Sequence, residues 1–283
     1  MPDRLGQALV RRYLARLPSP ADAVPGEASP LELFLRIGPR DLDVVPVAAA
    51  SLRRHLTNRI RRVVAATPEA QLRDVRRVLP DAEVVPDEEL LPVDLRRAIE
   101  AVAPAGRASW LTQQFLTLVF VSTRARGACL VWDADTVMIR PQALLHGTTS
   151  ALAVSLEHHP PYFVHIGRLL PSLPLPAWSS TVAHHMVMAP DLLGELLAEI
   201  AAPGAGRPWW RAILDHVDRD EPSCMAEYEL YGQWVRHRHP DRVRLVAFRN
   251  VGLSRRRLGS AGLEALSRSG RLDSVSFHWY HDP

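Results

Sequence analysis

Between Leu31 and Trp132 the chain alternates short apolar runs with longer segments of helical period, and this alternation limits the fold more than any other feature. LELFLRI reads as a strand, GPRDLDVVP as a loop and AAASLRRHLTNRI as a helix. RRVVAAT is a second strand, followed by the helix PEAQLRDVRRVLP and a third short strand, AEVVP. The long apolar helical face of SWLTQQFLTLVFVST then leads into the strand CLVWDAD. That order predicts an α/β fold, a doubly wound and mostly parallel sheet flanked by helices, with ligands bound beyond the carboxyl ends of the strands.

The remainder is less regular. SALAVSLEHHPPYF and STVAHHMVMAP read as strands with His-rich ends, DLLGELLAEIAA, RPWWRAILDHVD and AEYELYGQWVRHRHP as helices, and SVSFHWYHDP as strand-like. Ahead of the sheet, residues 4 to 17 place Leu5, Leu9, Tyr13, Leu14 and Leu17 on one face of an amphipathic helix, and PSPADAVPGEASP reads as a linker. Residues 1–29 are therefore expected to form a helix and Pro-rich linker, and 30–283 a single domain. The helix either docks on that domain or, being basic, makes peripheral contact with an anionic membrane.

The apolar run Cys129-Leu130-Val131-Trp132 ends in Asp133-Ala134-Asp135. Two carboxylates this close repel, and their burial without a partner costs several kcal/mol. A divalent cation resolves the conflict, and hard carboxylate oxygens suit Mg²⁺ or Mn²⁺. Composition narrows the partners: the 34 basic residues are all Arg and face 31 acidic ones, a net charge of +3 that gives no ground for nucleic-acid binding. Cys129 and Cys224 match no metal-ligand spacing, and no signal peptide or membrane span is visible, so a soluble, cytoplasmic protein is expected.

VWDADTVMIRP, preceded by SWLTQQFLTL and followed by HHMVMAP, AEYELYGQWV and VSFHWY, resembles a bacterial family of GT-A-fold, nucleotide-sugar-dependent glycosyltransferases that carry a DxD motif. The resemblance covers roughly residues 31 to 283. It implies a nucleotide-binding half at 30–140, an acceptor half at 141–283, a UDP-sugar donor, and a glycan or small-molecule acceptor. It also implies Mn²⁺ or Mg²⁺ held by Asp135 and Asp133, with His278 from near the chain end completing the protein ligands and His281 as the alternative. Asp133 binds either the ion or the ribose in this comparison.

Several other residues are candidates. Arg36, Arg40 and Asp41 end the first strand and Asp87 follows the third, where the crevice of such a sheet holds a nucleotide; each is otherwise a solvated loop charge. Gln113 and Gln114 interrupt an apolar helix and need a partner, either the donor sugar or backbone. His184 and His185 stand at a strand end on opposite faces, which argues against a shared zinc, and His185 is a candidate at the acceptor side. Glu227, Tyr228, Glu229 and Tyr231 form the densest polar-aromatic cluster, with Glu227 and Glu229 as candidate general bases or as members of a packed helix.

Two rival readings exist. DADTV matches the opening motif of haloacid-dehalogenase-like Mg²⁺-dependent phosphohydrolases, but the strands ahead of Asp133, the lack of Lys and the lack of a later acidic pair weigh against it. A catalytically silent nucleotide- or sugar-binding module also fits, because fold does not imply activity.

Overall fold

The computed structural model describes residues 8, 11–20, 27–176, 178–204, 206–257 and 259–278. In chain order the first half contains β1 (Leu31–Arg36), α1 (Val45–His55), β2 (Ile60–Thr67), α2 (Leu72–Val78), β3 (Glu83–Pro86), α3 (Asp87–Leu90), α4 (Val93–Val102), α5 (Ala108–Thr123) and β4 (Cys129–Trp132). There follow β5 (Thr136–Met138), β6 (Leu145–His146), β7 (Thr149–Val154), α6 (Pro160–Leu169), β8 (His185–Met188), α7 (Pro190–Ala201), α8 (Trp209–Asp215) and α9 (Glu227–Arg238). The last elements are β9 (Val243–Ala247), β10 (Asn250–Gly252), α10 (Ser260–Arg268) and β11 (Ser274–Ser276).

The central sheet has the order β3-β2-β1-β4-β8; its first four strands are parallel and β8 is an antiparallel edge. This is the mixed α/β architecture with a mostly parallel sheet that the alternation predicts. The reason lies in burial on both faces. Leu33 and Leu35 of β1 pack with Leu52 of α1, while Phe34 between them enters the opposite core and stacks on Phe120 of α5 with ring centroids 4.2 Å apart. A strand covered on both sides needs an unbroken apolar run. Truncating Phe34 to Ala would cost about 3–5 kcal/mol.

Some local expectations are corrected. The first helix stops at His55 instead of reaching Ile60, which opens β2. Asn58, 2% exposed, is used elsewhere: its Nδ2 donates to the carbonyls of Ser29 and Leu145, both at 2.7 Å, and its Oδ1 accepts from the Leu144 amide. In SALAVSLEHHPPYF the strand ends at Val154, and the His-Pro-Pro stretch starts α6. Pro160 and Pro161 occupy its first turn, where a missing N–H leaves no bond unmade. Of the expected amphipathic helix at 4–17, residues 8 and 11–14 are described and helical, and the following segment is tied down by Ala247 N–H donating to Pro18 O at 3.1 Å. Among the described residues no helix is long and apolar enough to cross a membrane.

Two smaller sheets complete the structure. In β6-β7-β9, β9 runs parallel to β7. In β10-β11-β5, β11 sits in the middle and runs antiparallel to β5, with Ser276 opposite Thr136. Val275 and Phe277 anchor β11 in a core of their own with Val44, Ala48, Val137 and Ile139. That anchoring brings the end of the described chain to the carboxyl end of β4.

Candidate active site

The chain leaves β1 for β2 and β3 on one side, then returns to place β4 on the other, so the crevice between the ends of β1 and β4 is the switch point of the sheet. Asp133 and Asp135 lie there. The turn carrying them is closed by Thr136 N–H donating to Asp133 O at 3.0 Å and braced by the Trp132 indole donating to Thr136 O at 2.7 Å. Backbone bonds from Asp133 N–H to His184 O and from Phe277 N–H to Asp135 O hold it on both sides.

The two carboxylates differ in how they are held. Asp133 accepts from His184 Nδ1 at 3.0 Å on one oxygen and from the Tyr228 hydroxyl at 3.1 Å on the other. Asp135 accepts from His278 Nδ1 at 2.8 Å on Oδ2, whereas its Oδ1 has only a long contact of 3.4 Å from the Thr136 hydroxyl. The rings of His184 and His278 stand 4.8 Å apart, so two carboxylate–imidazole pairs face each other. Burial opposes ionisation of Asp135, but the bond from His278 and the positive charges around it prevail, and its carboxyl lies below the usual range. Burial likewise disfavours the charged form of His184, yet the bond to Asp133 and that residue's charge raise its imidazole above the ordinary value. Each oxygen of Asp133 thus carries one hydrogen bond from a neighbouring side chain.

The donor set at this pair suits a divalent ion. An ion would have to take the place of the proton between His278 Nδ1 and Asp135 Oδ2, which lie 2.8 Å apart, close to the roughly 3 Å between ligands at about 2.1 Å on adjacent corners of an octahedron. Carboxylate oxygen with one imidazole suits Mn²⁺ and tolerates Mg²⁺. Among the described residues no group of three His, Cys, Asp or Glu side chains converges as a ready cage, so the fit is to a pair of protein ligands. His281 lies outside the described residues.

Next to this pair a side chain from the end of β1 crosses the end of β2 to reach the residue after β3. Arg36 reaches Asp87 Oδ2 and Ser109 Oγ, each at 3.3 Å, while Arg36 Nε and Asp87 Oδ1 are buried with no protein partner. Burial raises the Asp87 carboxyl, against the pull of Arg36. Asp41 folds back to accept from Gly38 N–H at 2.9 Å; burial and the nearby charge of Asp135 raise its carboxyl despite Arg255 and Arg36. Arg40 is exposed, but its backbone carbonyl accepts from the Arg255 guanidinium. The structure thus gathers Arg36, Asp41, Asp87, Asp135 and His278 at one crevice.

Other expected residues serve the scaffold. Gln114 binds backbone: its Oε1 accepts from Glu227 N–H at 3.2 Å and its amide lies 3.4 Å from Trp110 O. Gln113 is half-buried on the same helix, and its carbonyl accepts from Thr117. Glu229, placed above among the candidate bases, is wholly buried. It accepts from Ser180 Oγ, from Thr181 N–H at 3.0 Å and Oγ1 at 3.1 Å, and from Gln233 Nε2 at 2.5 Å. A carboxylate saturated by four internal donors cannot meet a substrate. It ties α9 to the 180–181 segment, and Gly232 permits the contact, since a Cβ there would stand 2.3 Å from Thr181 Oγ1.

His185 is also corrected. It points away from the carboxylates, stacks on Trp132 at 5.0 Å, and has neither ring nitrogen hydrogen-bonded; burial, then the charge of His184, pushes it down to about 4. Strand alternation shows that one of the two histidines faces the crevice, and the register identifies His184, because His185 is paired with Trp132. Glu227 is buried behind Asp133, where burial and that carboxylate's charge push it up to about 8. Tyr228 and Arg255 contribute to the site in ways that the sequence does not indicate. Tyr228 belongs to the polar-aromatic cluster, whereas Arg255 lies in an Arg run with no signal to distinguish it.

No protein-family model and no curated protein matches the sequence. Among solved structures, the apo crystal structure of mouse xyloside xylosyltransferase 1 is similar with a TM-score of 0.46 and 13% identity, over 89% of this chain and 99% of that one. PaToxG glycosyltransferase is similar with a TM-score of 0.41 and 9% identity, over 94% of this chain and 83% of that one. Likeness at this level assigns no family.

Proposed function

We propose that this chain is a divalent-metal-dependent glycosyltransferase that moves a sugar from a nucleotide donor, a UDP-sugar, to a glycan or small-molecule acceptor. The observation carrying this reading is the Asp135–His278 pair at the switch point of the sheet, with one Asp135 oxygen left for a further bond. Asp135 and His278 would hold Mn²⁺ or Mg²⁺, with Asp133 fixed beside them. When bound, the ion supplies a Lewis acid that neutralises the nucleoside diphosphate leaving group.

The chain's own residues do the rest. The unpaired Arg36 N–H and Asp87 oxygen offer one donor and one acceptor to the nucleotide, and Asp41 lies within the same crevice. His184 and Tyr228 orient Asp133. Glu227, holding its proton through the neutral range, keeps a third negative charge from forming behind the pair. In the transfer the bond between the sugar carbon and the diphosphate oxygen breaks with its electron pair staying on the diphosphate, the acceptor oxygen bonds to that carbon, and the acceptor's proton passes to solvent.

Thermal shift with a panel of nucleotide sugars, with and without Mn²⁺, tests the reading, because a ligand that binds only the folded chain raises its melting temperature. A UDP-sugar should give a shift that requires Mn²⁺, and Asp135→Asn should lose it while keeping the wild-type melting temperature without ligand. A shift that survives Asp135→Asn, or turnover of a simple phosphomonoester, would remove the assignment.

A further inference from the structure

Arg255 begins a 3₁₀ turn, Arg255–Arg257, just beyond β10, and its side chain is 13% exposed. Its Nε donates to the carbonyl of Phe277 at 3.1 Å. One terminal nitrogen donates to the carbonyl of Arg40 and to Asp43 Oδ1 at 2.9 Å, and the other reaches Asp41 Oδ1 at 3.5 Å. The same planar group therefore grips the loop after β1 and the residue immediately before His278. Phe277 is held from its other side by its own N–H, which donates to Asp135 O at 2.8 Å.

We propose that Arg255 is a positioning residue, a clamp that sets His278 against Asp135 by locking the segment ending β11 to the loop at residues 39–43. This rests on the reading of the crevice as a site for a nucleotide and a divalent ion. A guanidinium presents five N–H donors in a rigid fork, so it can serve two carbonyls and two carboxylates at once; an ammonium on a flexible stem cannot hold both segments in one geometry. Because the clamped loop carries Arg40 and Asp41, order imposed on the loop by a bound nucleotide passes to His278. By reciprocity, metal bound at His278 strengthens nucleotide binding through the same contact.

The test uses Arg255→Ala and Arg255→Lys, each with and without His278→Ala. In the ligand-free protein, amide exchange at Phe277 should quicken about tenfold in Arg255→Ala, with β1 to β4 unchanged. Unaltered exchange at Phe277 would overturn the clamp. Calorimetry with Mn²⁺ alone should show about a tenfold loss of affinity in Arg255→Ala, the size expected when a supporting group is removed from a metal ligand. Lysine should not restore it, and Arg255→Ala should cause no further loss once His278 is Ala. An equal loss in that background would mean that Arg255 acts by its charge and not through His278, and would also overturn the proposal. If the wild-type chain takes up neither Mn²⁺ nor UDP, the reading of the site fails, while the exchange experiment still decides whether Arg255 holds the segment.

Discussion

The hydroxyl of Tyr228 donates to Oδ1 of Asp133 at 3.1 Å, across 95 positions of sequence, so the helix that packs the core also aims the first carboxylate of the pair. Burial, then the charges of Asp133 and Glu227, pushes that phenol well above its ordinary range, which keeps it a donor throughout the physiological range.

Tyr228→Phe removes this bond and little else, since the ring remains in the same core. Metal-dependent affinity for UDP should fall about tenfold, as for other groups that orient a metal ligand. The denaturation midpoint should stay within about 1 kcal/mol of wild type, as expected for one hydrogen bond. Calorimetric titration with Mn²⁺ present, beside a urea melt, separates the two effects.

For Glu229 the expectation is reversed. Glu229→Ala leaves the buried Thr181 amide and the Ser180 and Gln233 side chains without their acceptor, and should cost about 3 kcal/mol of stability. UDP affinity per folded molecule should remain near wild type. A large fall in affinity with an unchanged urea midpoint would show that this carboxylate meets the ligand.

Glu227 makes stability depend on pH. Its folded carboxyl is pushed up to about 8, above its ordinary value of 4.5, so between about pH 4.5 and 8 the folded state holds a proton that the unfolded state has released. Stability from this group is full below the lower value, declines as pH rises through the window, and levels off above about 8. Glu227→Gln, which carries a neutral amide at every pH, should show a smaller loss between pH 5 and pH 8 than wild type in paired urea melts. Equal losses in the two proteins would contradict the raised value.

The half of the fold that sequence reveals is the half buried on both faces. LELFLRI, RRVVAAT and CLVWDAD are apolar because helices cover them from either side, and their order defines the sheet. The helix of Pro160 to Leu169 was hidden by its own start, because HHPPYF looks like the frayed end of the apolar run before it. Asp135 was readable as a carboxylate in need of a partner, and His278 only through the family resemblance. Glu229 resembled a general base only because three of the four donors that saturate it lie some 48 positions away, at Ser180 and Thr181. Periodicity cannot supply a partner at that distance, nor single out Arg255 from its neighbours Arg256 and Arg257.

The central position of β11 in its sheet has a temporal consequence. Its pairing with β5 joins Ser276 to Thr136 across 140 positions. Closing a loop of that length costs about 4 kcal/mol of chain entropy, whereas β1, β2 and β3 meet through successive short crossovers. The β1-β2-β3 part of the sheet can therefore form while the crevice still lacks its imidazole from the far strand. In a refolding time course, helical signal should precede any capacity to bind Mn²⁺, and ligand uptake would mark the final ring closure of the chain.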